Sequence, residues 1–254
     1  MIAEARWTRI VDLVNTRGVM TVAQLMEELD ASESTVRRDL VRLDAMGRLH
    51  KVHGGATSIS SNEYIMSDQS MSGRKELHTE EKRAIGAYAA TLIQPGDFVF
   101  IDGGTTTECL VDAITQTNAT YLTNSLPHAQ KLVAKGCRTL LPGGEVKPLT
   151  EVLVGAETAE NIRQYHFTVG FWGTNGASPS TGFTTPEFNE AAVKRVSIAH
   201  TKHPYVLCDA SKFSSIAPIT FADFQDAMVV TDHIYDSELL ESGNVIEVMG
   251  TTPL

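Results

Sequence analysis

Between Thr79 and Thr231 the chain alternates between two hydrophobic periods, and this alternation restricts its fold more than any other feature. Helical periodicity marks segments near 79–93, 105–115, 125–135, 156–164 and 187–200. Between and after them lie short apolar runs at 97–102, 119–123, 138–141, 166–171, 204–208 and 227–231. Parallel strands need long crossovers and are buried on both faces, so apolar runs separated by helix-length segments predict a mostly parallel sheet with helices on both sides. In sheets of this kind ligands bind at the carboxyl ends of the strands. Residues 74–254 therefore read as an α/β domain, and no internal repeat is visible.

Residues 1–57 follow a different pattern. Trp7, Ile10, Val11 and Val14 recur at i, i+3, i+4 and i+7, giving a helix that stops near Gly18. Thr21 caps a second helix, with Gln24 as the returning partner of a capping box and Leu25 and Leu29 facing inward. After the turn Asp30-Ala31, Ser32 caps a third helix with a buried stripe of Val36, Leu40 and Leu43 and a stop at Gly47. Its opposite face carries Ser34, Thr35, Arg37, Arg38 and Arg42, and "RLHKVHGGA" then alternates as a small β-ribbon would. On its own, such a helix is an ordinary solvated basic face. Two helices, a tight turn, a hydroxyl-and-Arg face and a basic hairpin in succession predict instead an all-α winged helix-turn-helix. Ser34, Thr35, Arg37, Arg38, Arg42, Lys51 and His53 are its candidate DNA contacts. The serine-rich stretch Ser58–Gly73 reads as a linker.

Charge complicates the DNA reading, because affinity for a duplex comes largely from neutralising phosphates and the chain has a net charge of −10. The deficit is not spread evenly. Residues 1–57 hold eight basic and eight acidic residues, leaving 13 basic against 23 acidic in the remainder. The excess around the third helix is modest, so one module binds weakly, and a homodimer or homotetramer built through the C-terminal domain is expected. Cys109, Cys137 and Cys208 are odd in number and set among apolar residues, which points to reduced core thiols. No run is long and apolar enough for a membrane span, and Glu4, Arg6 and Arg9 stand where a signal peptide needs an apolar block, so a soluble cytoplasmic protein is expected. The eight histidines show no metal-ligand spacing, and no metal or cofactor is expected.

The chemistry of the second domain centres on "VFIDGGTTTECL". An apolar strand ends in Asp102-Gly103-Gly104 and passes through Thr105, Thr106 and Thr107 into a helix. Glycines allow close backbone approach there, while free amides and the helix dipole favour an anion. A Gly-Gly turn between strand and helix also arises from φ freedom alone, and the motif is neither a Walker loop nor a dinucleotide fingerprint. Other strand ends add donors: Thr123, Asn124 and Ser125; Gly143 and Gly144; Gly173 through Gly176, including Asn175. Lys194 on "EAAVKR" and Lys212 in "DASKF" complete a cleft suited to a polyhydroxylated anion, the alternative for each being a solvated surface charge.

"TVAQLMEELDASESTVRRDLVRLDAMGRLHKVHGGA", with its S-x-x-T-x-R-R-D-L core and H-G-G-A ending, resembles the N-terminal domain of the DeoR family of bacterial transcriptional regulators. Arg74, Lys82, "DGGTTT", "TNS", "GG", "GTNG", "EAAVK" and "DxSKF" follow in the same family's order, so the resemblance covers residues 5–232. It implies a sensor domain of ribose-5-phosphate-isomerase-like fold that binds a phosphorylated sugar. The phosphate would lie on Gly104 to Thr107, and Lys194 and Lys212 would meet the sugar or its phosphate. It also implies a structural role for Asp39, holding an Arg or a backbone group. Trp172 stands where the family carries a smaller aliphatic residue, which implies a reshaped pocket wall. "GFTTPEFNEAAVKR" is most similar to the branch controlling fructose or lactose uptake through the phosphotransferase system.

The reading is a repressor of a sugar uptake operon whose DNA affinity is modulated by a sugar phosphate. The main alternative is an isomerase acting on the same ligand. Such an enzyme needs a positioned carboxylate, yet Gly170 to Pro186 contains no acid, while Asp102 reads as orienting the phosphate loop and Asp209 as pairing with a lysine. An adaptor with a vestigial cleft is the third reading.

Overall fold

The computed structural model describes residues 3–17, 19–52, 54–57, 63–64, 77–234 and 237–249. It divides into two compact units, Met1–Glu63 and Tyr64–Leu254.

The first unit contains α1 (Ala3–Arg17), β1 (Val19–Thr21), α2 (Val22–Leu29), α3 (Glu33–Ala45), β2 (His50–Val52) and β3 (Gly55–Thr57). The local signals act as the sequence requires. The Thr21 hydroxyl accepts from the Gln24 amide at 3.2 Å, and Gln24 Oε1 accepts from the Thr21 amide at 2.9 Å, closing the capping box. Ser32 Oγ accepts from the Thr35 amide at 3.4 Å, and Gly47 ends α3 in the left-handed region at φ 63°. Ile10, Val14, Leu25, Val36, Leu40 and Leu43 form the buried centre. The unit is not all-α: β1 joins the wing hairpin in an antiparallel sheet of order β1-β3-β2. A Cβ at Gly55 would lie 2.2 Å from the Met20 carbonyl oxygen, so the glycine is what lets β1 approach. Gly18 and His53 lie outside the described residues, as does most of the 58–73 stretch.

The second unit is built on seven strands. In chain order its elements are α4 (Thr79–Thr91), β4 (Phe98–Ile101), α5 (Thr105–Ala113), β5 (Thr120–Thr123), α6 (Leu126–Ala134) and β6 (Arg138–Leu140). These are followed by β7 (Glu145–Lys147), β8 (Val152–Val154), α7 (Gly155–Arg163), β9 (Phe167–Gly173), β10 (Gly176–Ser178) and β11 (Gly182–Thr185). Last come α8 (Phe188–Ala199), β12 (Thr201–Leu207), β13 (Ile219–Ala222), β14 (Met228–Thr231), α9 (Ser237–Glu241) and β15 (Val245–Glu247).

The main sheet has the order β15-β14-β12-β9-β4-β5-β6 and every pairing in it is parallel. From β4 the chain proceeds outward to β5 and β6; from β9 it proceeds outward the other way, to β12, β14 and β15. The winding therefore reverses between the neighbours β4 and β9, and the crevice outside their carboxyl ends is the place such sheets reserve for a ligand.

Strand alternation divides the core into two layers. Phe100, Trp172, Val206 and Val229 pack with α7 and α8 on one face. Val99, Ile101, Phe171, Leu207 and Val230 pack with α4 and α5 on the other. Trp172 is fully buried, stacks on Phe100 at 5.3 Å between centroids and donates its indole N–H to Ser197 Oγ at 2.9 Å. Its place is therefore this core layer rather than the pocket wall that the resemblance implied. Two antiparallel additions, the sheet β10-β11-β13 and the hairpin β7-β8, were not anticipated from the sequence.

Candidate functional site

The exposed side of α3 carries Ser34, Arg37, Arg38 and Arg42, with Thr35 half-buried beside them. Arg37 is paired with Glu33 one turn earlier at 2.7 Å, and the hydroxyls of Ser34 and Thr35 lie 3.1 and 2.9 Å from Ser32 Oγ. Lys51 is exposed on the wing, its amide donating to Asp44 Oδ1 at 2.8 Å. Behind this face Asp39 is buried and ties α3 to α1: it accepts from Arg6 Nε at 2.5 Å and from Trp7 Nε1 at 2.8 Å. Burial alone would raise the Asp39 pKa, but the hydrogen bonds from Arg6 and Trp7 and the charges of Arg6 and Arg38 hold it below the usual carboxylate range. Arg42 lies over the Trp7 ring, 4.6 Å from its centroid. The resemblance implied that Asp39 holds an Arg or a backbone group; which residues it holds was not legible, since Arg6 and Trp7 lie 33 and 32 positions away.

At the switch point, the Asp102 amide donates to the Phe171 carbonyl at 2.9 Å, continuing the β4–β9 ladder past its last residue. Gly103 then turns under β8: a Cβ there would fall 2.2 Å from Val152 Cγ1. Its amide donates to Asn124 Oδ1 at 3.1 Å, and Asn124 Nδ2 donates onward to the Leu153 carbonyl at 3.2 Å. Gly104 caps α5 without a side-chain hydrogen bond. The amides of the first turn, Thr105 to Thr107, thus have no intrahelical acceptor and point out of the helix start with its positive dipole end.

The candidate hydroxyls divide into two kinds. Thr107 Oγ1 donates back to the Gly104 carbonyl at 3.0 Å, Thr123 Oγ1 accepts from the Ser125 amide at 3.1 Å, and Ser125 Oγ accepts from the His128 amide at 3.4 Å. These groups shape the loop, and so does Asn124. Thr105 and Thr106 flank the free amides. The Asn175 amide donates to the Thr184 carbonyl at 2.9 Å, leaving its half-buried side chain beyond the end of β9. Gly144, at φ 136°, owes its identity to packing, because a Cβ would lie 1.9 Å from Thr158 Oγ1. Gly143 is exposed, with its amide 3.4 Å from Asn161 Oδ1.

Lys194 and Asp102 are both buried and form an ion pair. Lys194 Nζ also donates to the Gly173 carbonyl at 2.9 Å and lies 5.2 Å from the centre of the Phe221 ring. Asp102 Oδ2 also accepts from the Gly173 amide at 3.3 Å. One carboxylate and one ammonium thus clasp the ends of β4 and β9, with Lys194 committed to internal partners.

On the far side of β9, Asp209 and Asp232 follow the neighbouring strands β12 and β14 and are both buried. Asp209 Oδ1 accepts from the Ser211 amide at 3.2 Å, whereas Oδ2 is buried without a partner. Burial opposes ionisation of Asp209, but Lys212, the Ser211 hydrogen bond, His78 and Lys82 together hold its pKa below the usual range. Burial, with Asp209 nearby, pushes the Asp232 carboxyl up although it accepts from the Ala210 amide at 2.7 Å. Lys212 is half-buried on the 3₁₀ turn Ala210–Ser214, and buried Lys82 donates to the Leu77 carbonyl at 2.7 Å. His78 and Asp232 were not singled out in the sequence, and Arg74 lies outside the described residues.

His128 is a further surprise. It is fully buried behind the loop, and burial lowers its pKa to about 4 despite the Glu108 carboxylate and the Gly104 backbone nearby. Glu108 is paired with Lys131 at 2.8 Å. Cys137 and Cys208 are buried, Cys109 is half-buried, and all three are free thiols. Among the described residues no group of His, Cys, Asp and Glu is arranged to hold a metal, and no helix is long and apolar enough to cross a membrane.

The chain thus joins a winged helix-turn-helix unit to an α/β unit with a parallel sheet, the make-up of a transcriptional regulator with its own sensor domain. Residues 77–233 match the DeoR C terminal sensor domain and residues 6–62 the DeoR-like helix-turn-helix domain. The chain belongs to the DeoR family, and is accordingly a transcriptional regulator rather than an enzyme.

It is similar to the HTH-type transcriptional regulator FruR of Bacillus subtilis, with 37% identity over 248 residues, 97% of this chain and 96% of that protein. It is also similar to the lactose phosphotransferase system repressors of Staphylococcus epidermidis, 36% identical over 248 residues and 95% of each chain, and of Streptococcus mutans, 32% identical over 250 residues, 97% of this chain and 98% of that one. Among solved structures it is similar to ribose 5-phosphate isomerase A from Methanocaldococcus jannaschii, with 12% identity and a TM-score of 0.39 over 53% of this chain and 54% of that one.

Proposed function

We propose that the protein is a cytoplasmic repressor of a sugar phosphotransferase operon, bound to operator DNA through α3 and the wing and modulated by a phosphorylated sugar at the switch point. The observation that carries this reading is the start of α5, which has no side-chain cap and lies beside the β4–β9 reversal, where sheets of this kind bind ligands and where a helix start with its dipole favours an anion. The phosphate sits on Gly104 to Thr107. The hydroxylated chain extends along the strand ends towards Asn175, Asp209 and Lys212, where the unpartnered Asp209 Oδ2 accepts a sugar hydroxyl. Asp102 and Lys194 hold the floor of the crevice. The names of the relatives, which include lactose phosphotransferase system repressors, favour a hexose or ketose phosphate.

On the DNA side Ser34, Thr35, Arg37, Arg38, Arg42, Lys51 and His53 contact the duplex. Two or more copies bind together, because one module has little excess positive charge and half-sites must match the helical repeat. Ser58–Gly73 serves as the arm between DNA-binding and sensor domains.

Two assays test the reading: anisotropy on the duplex upstream of the protein's own gene, and thermal shift with fructose-1-phosphate, tagatose-6-phosphate, glucose-6-phosphate and their unphosphorylated parents. The expected result is salt-dependent DNA binding that Arg38→Ala weakens, and a rise in Tm with one sugar phosphate but not with its parent sugar. A chain that binds no duplex, or none of the phosphates, contradicts it.

A further inference from the structure

Val41 sits in the middle of the exposed side of α3. Among the described residues of the helix-turn-helix unit it is the only large apolar side chain left mostly in solvent, at 53% exposure. With Ser34, Arg37 and Arg38 it occupies i, i+3, i+4 and i+7, two turns of a single helix face. Arg42, the next residue, lies over the Trp7 ring at the edge of this stripe. The result is an apolar knob one turn beyond two guanidinium groups, with Asp44 one turn further on, on the element that the proposed function directs at the duplex.

We propose that Val41 is a specificity-determining residue that packs against the C5 methyl of a thymine in the major groove. The proposal rests on the reading that α3 enters that groove. The neighbouring arginines select a polyanionic partner by charge, and within its major groove the thymine methyl is the apolar group a valine can read. Phosphate contacts from Arg37 and Arg38 fix the helix in register. Val41 then adds a preference the arginines cannot supply, since bidentate Arg pairing selects guanine. A second copy of this chain is the other conceivable occupant, and it is less favoured because two such faces would bring like charges together.

The test uses the full-length protein and duplexes enriched by it from a random-sequence pool. Each thymine in one half-site of the enriched sequence is replaced in turn by deoxyuridine, which removes only the C5 methyl, and affinity is read by anisotropy. Wild type should lose about fourfold at one position, the equivalent of one buried methylene. Val41→Ala, which keeps helix propensity at an exposed site, should bind the thymine and uracil duplexes equally at that position. The absence of any methyl-dependent position, or a Val41→Ala variant that keeps the same dependence, overturns the assignment. So does a Val41→Ala variant altered in self-association on sedimentation while its thymine dependence is intact. Failure to enrich any duplex overturns the helix-in-groove reading itself and this assignment with it.

Discussion

Lys194 Nζ and Asp102 Oδ2 form an ion pair buried where the winding of the sheet reverses. The pair joins the end of β4 to α8 and, through the Gly173 amide and carbonyl, to the end of β9. Desolvating two charges is costly, so such a pair adds little net stability over an apolar equivalent, whereas removing one partner strands the other. Lys194→Met should therefore cost about 3–5 kcal/mol, and the double variant Lys194→Met/Asp102→Leu should recover much of that. Urea unfolding of the three variants measures the coupling. A cost near zero for Lys194→Met would mean the pair is not holding the floor of the crevice.

Gly103 gives a steric test of the loop. Alanine there places a Cβ 2.2 Å from Val152 Cγ1, so either β8 or the loop must move. Gly103→Ala should cost about 1–3 kcal/mol as an overpacking change and blunt the response to sugar phosphate while DNA binding persists. Val152→Ala in the same chain should restore the response. If Gly103→Ala responds as wild type does, the loop position is not critical.

The Asp39 staple sets the orientation of α3. Asp39→Ala removes acceptors for the Arg6 guanidinium and the Trp7 indole, and should cost about 2 kcal/mol, the scale of hydrogen bonds to a charged group. DNA affinity should fall with it, while the sugar-phosphate thermal shift of the sensor should be unchanged. Anisotropy and thermal shift on the same preparation separate the two effects, and a parallel loss of both would contradict a role confined to the DNA-binding unit.

His128 gives the protein a pH limit. Its pKa is about 4 in the fold against 6.5 when unfolded, so the unfolded chain takes up a proton first as pH falls. The stabilisation from keeping this ring neutral is complete above about pH 6.5 and is lost between 6.5 and 4, by roughly 3 kcal/mol in total. Between pH 7 and pH 4, the unfolding free energy of His128→Gln should therefore fall by that much less than wild type. Parallel pH profiles in urea titrations would contradict the assignment.

Elements whose burial follows one period were legible in the sequence. The segments near 105–115 and 125–135 appear as Thr105–Ala113 and Leu126–Ala134, and the apolar runs at 97–102 and 119–123 as Phe98–Ile101 and Thr120–Thr123. The missed elements lack that signal. Gly176–Ser178 and Gly182–Thr185 are, Phe183 apart, made of small and hydroxylated residues; they pair with each other, and the second pairs with Ile219–Ala222, far along the chain. Val19–Thr21 is only three residues long. At the switch point the residue types were legible but their partners were not. "DGGTTT" does not reveal that Asn124 holds Gly103, nor that Lys194 is held by Asp102, because both contacts depend on which strands become neighbours. Asp39 was assigned a structural role from the resemblance, and its partners, Arg6 and Trp7, emerged only with the fold.

The most direct test of the account is the coupling between the two ligands. Preformed complex with the upstream duplex is titrated with each sugar phosphate, and DNA release is followed by anisotropy for wild type, Thr106→Asp and Thr106→Ala, with circular dichroism to check folding. One phosphate should change wild-type DNA affinity by about 5- to 150-fold, the usual range for coupled sites. Its unphosphorylated parent should have no effect. Thr106→Asp should bind DNA and not respond, and Thr106→Ala should respond at higher ligand concentration. A folded Thr106→Asp variant that responds as wild type does would contradict the placement of the effector phosphate on the start of α5.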